Sequence, residues 1–518
     1  MTPQFKSVAL VGTGAMGQGI AQLCAQAQSA VYLFDTQEGA ADRALSRLQS
    51  QWTKLVEKNK ITQEAANTFI SRLHVVHSLE ELSQCDLVIE AILEQLPLKQ
   101  NLFKTLEDIC SPECSFASNT SSLSITSIAS GMKDPSRLAG FHFFNPVPLM
   151  RVIEVVQGLK TAPRLVQALL SYGAQLGHTT ILTQDTPGFV INHAGRAFPT
   201  EALRILSESV TDHASIDAIL KDQAGFKLGP FELMDLTSLD VSHPVMESIY
   251  HQYFEEPRYR PSYITTQRLA GGIVGKKVGE GFYQYVDGVA QYPAHITQPS
   301  LKNSSEGERE QLHRSPVWVH PKAARVEELK TLLSALGAQV ESAPAPSEKA
   351  LCIVAPLGLD VSTCAVLYGL DPARTVGIDM LLPDAATKRR VLCSNPSLRH
   401  DMLHLAQVIF TADAKPVSTL RDSAGFVTQR VLACIVNIAS DICQQSICSP
   451  KDLDLAVPLG LGYPKGPLSL GDELGVQNVF EILFNLQTVY SDPRYRPSPW
   501  LRRRAALGLS LLHEEIQS

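Results

Sequence analysis

The chain repeats itself, and that limits its architecture more than any other feature. Asp185-Thr186-Pro187-Gly188-Phe189-Val190 returns as Asp422-Ser423-Ala424-Gly425-Phe426-Val427, and Gly229-Pro230 with Asp235 returns as Gly466-Pro467 with Asp472, both 237 positions on. Pro257-Arg258-Tyr259-Arg260-Pro261 returns as Pro493-Arg494-Tyr495-Arg496-Pro497, one position short of that offset. The same spacing relates Asp134-Pro135-Ser136-Arg137 with Gly140 to Asp371-Pro372-Ala373-Arg374 with Gly377, and Pro146 to Pro383. A stretch holding a helical domain and the latter part of the domain before it has therefore been duplicated. A length of 518 residues agrees with two to four domains.

The first copy opens with more sequence than the second retains. Residues 7–11 form an apolar run that leads directly into Gly12-Thr13-Gly14-Ala15-Met16-Gly17. Gln18 to Ala27 reads as a helix and Val31-Tyr32-Leu33-Phe34 as a second strand. In that context Gly-x-Gly-x-x-Gly carries a mechanism. Gly12 permits the tight turn, Gly14 admits a pyrophosphate, Gly17 lets helix and strand pack closely, and the helix N-terminus offers amide donors. Asp35 ends the second strand, where its carboxylate can accept from an adenosine ribose, and Thr36-Gln37-Glu38 offers no arginine for a 2′-phosphate. The expected cofactor is NAD and not NADP. After a charged helical stretch at 37–72, strands are predicted at Val75-Val76, Leu87-Val88-Ile89, Ser115-Phe116-Ala117-Ser118 and Leu138-Ala139-Gly140-Phe141-His142. The fold class is a Rossmann-type doubly wound sheet followed by an all-α domain, then a degenerate α/β remnant and a second all-α domain. Polar residues at the carboxyl ends of the strands, where such sheets bind ligands, are Glu90, Glu94, Asn119 to Ser122, His142 and Asn145.

Charged residues make up 19% of the chain and the formal net charge is −7, which argues against nucleic-acid binding by bulk electrostatics. No apolar run reaches membrane-spanning length, so no membrane partner is expected. The strand-like Val8-Ala9-Leu10-Val11 follows the start too closely for a secretory signal, and the ten cysteines include no Cys-x-x-Cys. Buried thiols in a reducing cytoplasm are expected, and no metal.

Oxidation of a secondary alcohol needs a base for the hydroxyl proton while hydride leaves, and histidine titrates in the right range. His142 stands at a strand end, and the turn Asn145-Pro146-Val147-Pro148 can bring Glu154 back beside it. A carboxylate there would fix the imidazole tautomer. On residues alone His142 reads equally as a core histidine among Phe141, Phe143 and Phe144.

Three segments make the pattern specific: Ser118-Asn119-Thr120-Ser121-Ser122-Leu123, Gly140-Phe141-His142-Phe143-Phe144-Asn145-Pro146-Val147-Pro148, and Pro187-Gly188-Phe189-Val190-Ile191-Asn192. With Val11 to Gly17 and Gly279-Glu280-Gly281-Phe282-Tyr283, they resemble the 3-hydroxyacyl-CoA dehydrogenase family over residues 6 to 285. The resemblance implies oxidation of an (S)-3-hydroxyacyl-CoA thioester to the 3-oxoacyl-CoA, with His142 as general base and Glu154 as its orienting partner. It puts Ser121 and Asn192 on the 3-oxygen and thioester region, and Glu94, Lys99, Ser121 and Asn145 along the cofactor. By residue type alone, Ser121 and Asn145 could cap turns and Lys99 could be a solvated helix residue. Long single chains of this kind resemble bacterial enzymes of phenylacetate breakdown acting on 3-hydroxyadipyl-CoA, with 3-hydroxybutyryl-CoA dehydrogenases as the near alternative. A non-catalytic NAD-binding scaffold and a 6-phosphogluconate-type dehydrogenase are the readings from other classes.

Carrying the offset onto those positions separates the copies. His142 falls on Asp379, Glu154 on Val391, Ser121 on Gly358 and Asn192 on Gln429. Val317-Trp318-Val319-His320 is followed by Pro321-Lys322-Ala323-Ala324, with no glycine loop. The second copy is expected neither to bind NAD productively nor to perform the chemistry. Expected boundaries are 1–185 for the NAD-binding domain and 186–285 for the helical domain, with Phe189 to Ser209 as a long amphipathic helix. A linker at 286–316 includes Asn303-Ser304-Ser305-Glu306-Gly307-Glu308; the degenerate sheet domain follows at 317–420 and the second helical domain at 421–518. Glu341 to Ser347 marks where part of the sheet was lost. The partner is an acyl-CoA thioester, in a homo-oligomer or an intrachain pseudo-dimer of helical domains.

Overall fold

The computed structural model describes residues 4–297 and 315–515; the Asn303 to Glu308 part of the expected linker lies outside them. Two compact units result, Met1–His193 with Gln445–Leu461, and Ala194–Gln444 with Gly462–Ser518.

The first unit is a sheet with helices on both faces. In chain order its elements are β1 (Ser7–Val11), α1 (Ala15–Gln26), β2 (Ala30–Phe34), α2 (Ala40–Glu57), α3 (Gln63–Ile70), β3 (Leu73–Val75), β4 (Leu87–Glu90), α4 (Leu96–Ile109), β5 (Ser115–Ser118), α5 (Ile125–Ala129), β6 (Leu138–Phe143), β7 (Val152–Gln157), α6 (Pro163–Gln175) and β8 (Thr179–Gln184). Strand order is β3-β2-β1-β4-β5-β6-β7-β8. All neighbours run parallel except β6 and β7, so the sheet is mixed, not purely parallel. Alternation along β1 shows why there are two helical layers: Val8 and Leu10 enter one apolar cluster, Ala9 and Val11 the other. The charged stretch at 37–72 is two helices, because Thr62 caps a new start by accepting from the Ala65 N–H at 3.1 Å. The third strand ends at Val75 and does not include Val76.

The helices that follow are α7 (Ile191–Ala194), α8 (Ala197–Ser207), α9 (His213–Ala224), α10 (Pro230–Thr237), α11 (Leu239–Gln252) and α12 (Tyr263–Ala270). The expected single helix from Phe189 starts at Ile191 and is interrupted once, because Gly188 (φ 75°) and Phe189 (φ 48°) turn the chain first. Asp235 accepts from the backbone N–H groups of Phe282 and Tyr283 at 2.8 and 2.9 Å, which ties the closing Gly-Glu-Gly-Phe-Tyr segment to α10. Beyond residue 284 the chain is not yet linker: β9 (Gln284–Val286) and β10 (Val289–Gln291) form a hairpin, followed by α13 (Ala294–Thr297).

The second sheet comprises β11 (Pro316–Val319), α14 (Val326–Ala335), β12 (Gln339–Val340), β13 (Leu351–Val354), α15 (Val361–Leu367), β14 (Thr375–Ile378), β15 (Arg390–Ser394), α16 (His400–Phe410) and β16 (Val417–Leu420). Its order is β12-β11-β13-β14-β15-β16, with β14 and β15 antiparallel. Residues 341–350 pass from β12 to β13, where the first copy has β3, β4 and the helices α2, α3 and α4 between β2 and β5. The loss leaves one face thinly covered. Val317 and Val319 enter a large cluster, whereas Trp318 enters a small one with Ala350, Cys352 and the half-buried Leu370.

The second helical copy consists of α17 (Thr428–Gln444), α18 (Pro450–Leu461), α19 (Pro467–Leu474), α20 (Val476–Tyr490) and α21 (Pro499–Leu507). Of these, α18 lies in the first compact unit, outside the 1–193 portion of sequence that otherwise builds it. Gln184 N–H donates to the Ile447 carbonyl at 2.9 Å just before it. Within the second unit, Arg258 donates to the carbonyl of Arg496 at 2.9 Å and Arg494 to that of Arg260 at 3.0 Å, the same bond with the copies interchanged.

Candidate active site

Four segments reach the carboxyl edge of the first sheet, and each brings a different chemistry. The first is the glycine turn at the point where strand order reverses between β1 and β4. A Cβ on Gly12 (φ 96°) would stand 2.5 Å from the Ala91 carbonyl oxygen, and one on Gly17 would stand 1.9 Å from that of Gly12. A Cβ on Gly14 would meet nothing within 4 Å, and no side chain caps α1. The turn is thus packed where helix and strand meet and open where a pyrophosphate would approach the amides of Ala15 and Met16. Asp35 accepts from the Thr13 N–H and hydroxyl at 2.7 and 2.8 Å and from the Gln37 N–H at 3.0 Å. Partial burial would raise its pKa, but these bonds outweigh that and hold the carboxyl below its usual range. The Asp35 carboxylate is therefore ionised and fixed. The residues present fit a dinucleotide.

The second segment is the end of β4. Lys99 is 1% exposed and not solvated, contrary to its simplest reading by residue type. Its ammonium lies 2.5 Å from Glu90 Oε1 and 3.2 Å from Glu94 Oε2. Ser118 donates to Glu90 Oε2 at 2.6 Å. Glu94 Oε1 gathers the Thr120 hydroxyl (2.7 Å) and the N–H groups of Ser121 and Ser122 (2.9 and 3.0 Å), so one carboxylate shapes the loop that carries Ser121. Partial burial would raise the Glu94 pKa, but Lys99 and those donors hold it below its usual range. Glu90 is the residue whose position in this network the sequence did not disclose; its signal was an acidic residue closing β4 nine positions before a lysine.

The third and fourth segments are β6 and β7. Antiparallel register places His142 opposite Glu154, and His142 Nδ1 lies 2.6 Å from Glu154 Oε2. Glu154 is fully buried, and its Oε1 accepts from the N–H groups of Val190 and Ile191 at 2.9 and 2.8 Å. The positive φ angles of Gly188 and Phe189 aim those two successive amides at one oxygen. The buried carboxylate, with both oxygens engaged, holds the imidazole by Nδ1, which leaves Nε2 for chemistry. His142 is 4% exposed, with Phe144 and Phe189 rings at 4.4 and 5.7 Å. Asn119 accepts from the Phe143 N–H at 2.8 Å, tying the Ser121 loop to the strand that bears His142. Ser121 and Asn192 are half-buried, the latter on α7, and Asn145-Pro146 is a cis peptide.

The equivalent positions in the second copy are closed. Gln429 donates to Asp379 at 2.9 Å and to the Pro356 carbonyl at 3.0 Å, and accepts from the Gly358 N–H at 2.8 Å. Gly358 (φ 77°) could not return to serine, since a Cβ there would meet the Ile482 carbonyl oxygen at 2.5 Å. Asp185 and its counterpart Asp422 do the same work in both copies, each accepting from successive N–H groups at a helix start (Ile125 and Thr126; Val361 and Ser362). Among the described residues no cluster of histidine, cysteine or acid could hold a metal, no helix is long and apolar enough to cross a membrane, and all ten cysteines are buried and outside any disulfide.

A glycine turn that fits a dinucleotide, in the same sheet as an imidazole held by a buried glutamate, points to an NAD-linked oxidoreductase of alcohols. The family signature described as 3-hydroxyacyl-CoA dehydrogenase, NAD binding domain, matches residues 7–186. The one for the C-terminal domain of that family matches twice, at 188–285 and 425–510. The chain belongs to the 3-hydroxyacyl-CoA dehydrogenase family, and its cofactor is NAD. It is 35% identical over 98% of its length, and 99% of the other's, to the 3-hydroxyadipyl-CoA dehydrogenase of Escherichia coli K12. A probable 3-hydroxybutyryl-CoA dehydrogenase of Deinococcus radiodurans is 38% identical over 53% of this chain and 99% of its own. A crystal structure described as 3-hydroxybutyryl-CoA dehydrogenase from Escherichia coli K12 superposes with a TM-score of 0.84 at 33% identity, covering 97% of this chain and 98% of that one.

Proposed function

We propose that this NAD-dependent 3-hydroxyacyl-CoA dehydrogenase oxidises (S)-3-hydroxyadipyl-CoA to the 3-oxo thioester. The likeness to the E. coli 3-hydroxyadipyl-CoA dehydrogenase supports this, because it runs through both copies, whereas the D. radiodurans relative covers 53% of this chain. The NAD nicotinamide, when bound, supplies the acceptor for hydride from C3. His142 Nε2 takes the hydroxyl proton while Glu154 holds Nδ1 and offsets the charge that appears on the ring. Ser121 and Asn192 hold the 3-oxygen and thioester region. The glycine turn at Gly12, Gly14, Ala15, Met16 and Gly17 takes the pyrophosphate and Asp35 the adenosine ribose, with Glu94, Lys99, Ser121 and Asn145 along the remainder of the cofactor. Ten buried cysteines without a disulfide among them support a reducing, cytoplasmic setting. The exchanged bonds of Arg258 and Arg494 support an intrachain pseudo-dimer of the helical copies.

The second reading, 3-hydroxybutyryl-CoA, is supported by the likeness to the E. coli 3-hydroxybutyryl-CoA dehydrogenase crystal structure, at a TM-score of 0.84. NADH formation from a panel of adipyl, butyryl and longer 3-hydroxyacyl-CoAs decides between them, with His142→Gln as control. A kcat/KM for the adipyl ester roughly 10-fold above the butyryl ester is expected. The reverse ranking favours the second reading. Turnover of no CoA ester, or full activity in His142→Gln, removes both.

A further inference from the structure

We infer that the second copy acts on the first copy's chemistry through α18, with Gly460 as a positioning residue for the His142–Glu154 pair. The inference rests on the roles proposed for that pair. α18 belongs to the same compact unit as the NAD-binding sheet, where it packs on β7 and β8. A Cβ added at Gly460 would stand 2.7, 2.9 and 3.2 Å from Cδ1, Cγ2 and Cγ1 of Ile191. Only glycine lets the α18 backbone lie this close on that side chain, although glycine is a poor residue inside a helix. Ile191 is fully buried, and its N–H is one of the two donors on Glu154 Oε1, at 2.8 Å. Glu154 Oε2 in turn holds His142 Nδ1 at 2.6 Å. Three contacts thus lead from α18 to the base: Gly460 to Ile191, Ile191 to Glu154, Glu154 to His142.

The same pairing with the copies interchanged lies in the second unit. Gln223, the counterpart of Gly460, meets Thr428, the counterpart of Ile191, through a 2.5 Å hydrogen bond from the threonine hydroxyl. There the position of Glu154 is Val391, so nothing stands beyond Thr428 to be oriented. The tight apolar form of the contact occurs on the side that has a carboxylate to place.

Gly460→Val in the full chain tests this, with Gly460→Ala as the milder form. Displacing Ile191 should lower kcat by roughly 10-fold in the valine variant, since small misplacements at a reacting centre cost that much or more. NAD+ affinity, read by fluorescence titration, should stay within about twofold, because the glycine turn is untouched. Ile191→Ala in the same chain makes room for the valine and should bring kcat back to within about threefold of Ile191→Ala alone, the behaviour of coupled neighbours. Wild-type kcat in Gly460→Val, or a loss that Ile191→Ala does not relieve, overturns the inference. If His142→Gln retains activity, it is the reading of the pair that fails, whatever Gly460 does.

Discussion

The two copies keep one backbone and differ in what it carries. Gly140, Phe141 and His142 pair with Val156, Val155 and Glu154 in the first sheet; Gly377 and Ile378 pair with Cys393 and Leu392 in the second, the same register 237 positions on. Asp379 continues that ladder by donating its N–H to the Val391 carbonyl at 3.0 Å, where His142 and Glu154 stand opposite in the first copy. Holding two residues side by side is therefore a property of the fold. Making them an imidazole held by a carboxylate is a property of two side chains and of the two amides aimed at one of them. Once valine replaced glutamate, nothing required a histidine opposite, and the cleft could be filled. Gln429 does so with its longer side chain, which bonds the backbone of Pro356 and Gly358 and the carboxylate of Asp379.

The sharpest way to break this comparison is to give the first copy the second copy's residue. Glu154→Val should leave the sheet intact, since Val391 sits fully buried at the same ladder position. It should lower kcat by roughly 100-fold or more while NAD+ affinity holds, because the imidazole loses its orientation and its counter-charge. Stopped-flow turnover with saturating substrate measures it. A kcat within threefold of wild type would mean that the register alone suffices and that Glu154 is structural.

Next in size is the contact that makes the helical copies unlike. Glu201 on α8 is fully buried and meets Arg430 at 2.8 Å and Arg494 at 3.0 Å, with the Tyr495 hydroxyl also on it at 2.8 Å. Its counterpart is Ile438, and that of Arg430 is His193, so this cluster is not repeated with the copies interchanged, whereas the bonds of Arg258 and Arg494 to backbone carbonyls are. Burial would raise the Glu201 pKa, yet the two arginines outweigh it and hold the carboxyl below its usual range. Glu201→Ala takes a carboxylate from two buried guanidinium groups, of which Arg430 keeps Glu208 at 2.6 Å, and should cost about 3 kcal/mol, read as a lower thermal midpoint of the second unit. Arg430→Met with Glu201→Leu should recover the share owed to Arg430 and not that of Arg494, because the net worth of a buried ion pair is small while breaking it is expensive. Failure of the double variant to recover would show that the cluster fixes the pairing of the copies and does more than satisfy charge.

How much of this could be read beforehand follows from what each feature depends on. The glycine turn, the strand alternation and the two copies were legible because they rest on local backbone demands that repeat in the sequence. The pairing of His142 with Glu154 was foreseeable as a chain reversal at Asn145 to Pro148. Asp185 and Asp422 show why the Asp-x-x-Gly-Phe-Val motif outlived the chemistry: its aspartate clamps a helix start in both copies. The burial of Lys99 was not legible, because its partners Glu90 and Glu94 meet it only once β4 and α4 are packed. Neither was the membership of α18 in the first unit, since Gly460 meets Ile191 and the preceding Ile447 meets Gln184 across more than 250 positions of sequence.

The smallest effect concerns what stands in place of the base. Asp379 is buried, its Oδ1 accepts from Gln429 and from the Leu381 N–H at 3.1 Å, and its Oδ2 meets no partner among the described residues. Burial pushes its carboxyl up to about 6, against those two donors, which pull it down. A pKa raised in the folded state adds stability that is complete below the unfolded value near 4 and is lost as pH rises through about 6. Asp379→Asn removes that loss. At pH 7.5 the variant should be more stable than wild type by about 1–2 kcal/mol, after allowance for one unpartnered amide nitrogen. At pH 4.5, where the wild-type side chain is already neutral, the two should differ by less than about 1 kcal/mol. Dehydrogenase activity should be unchanged, because Asp379 faces a glutamine and not a substrate. Thermal midpoints at the two pH values measure the effect. Equal shifts at both would mean that the charge is not what the second copy has buried there, and a fall in activity would mean that its cleft still serves the reaction.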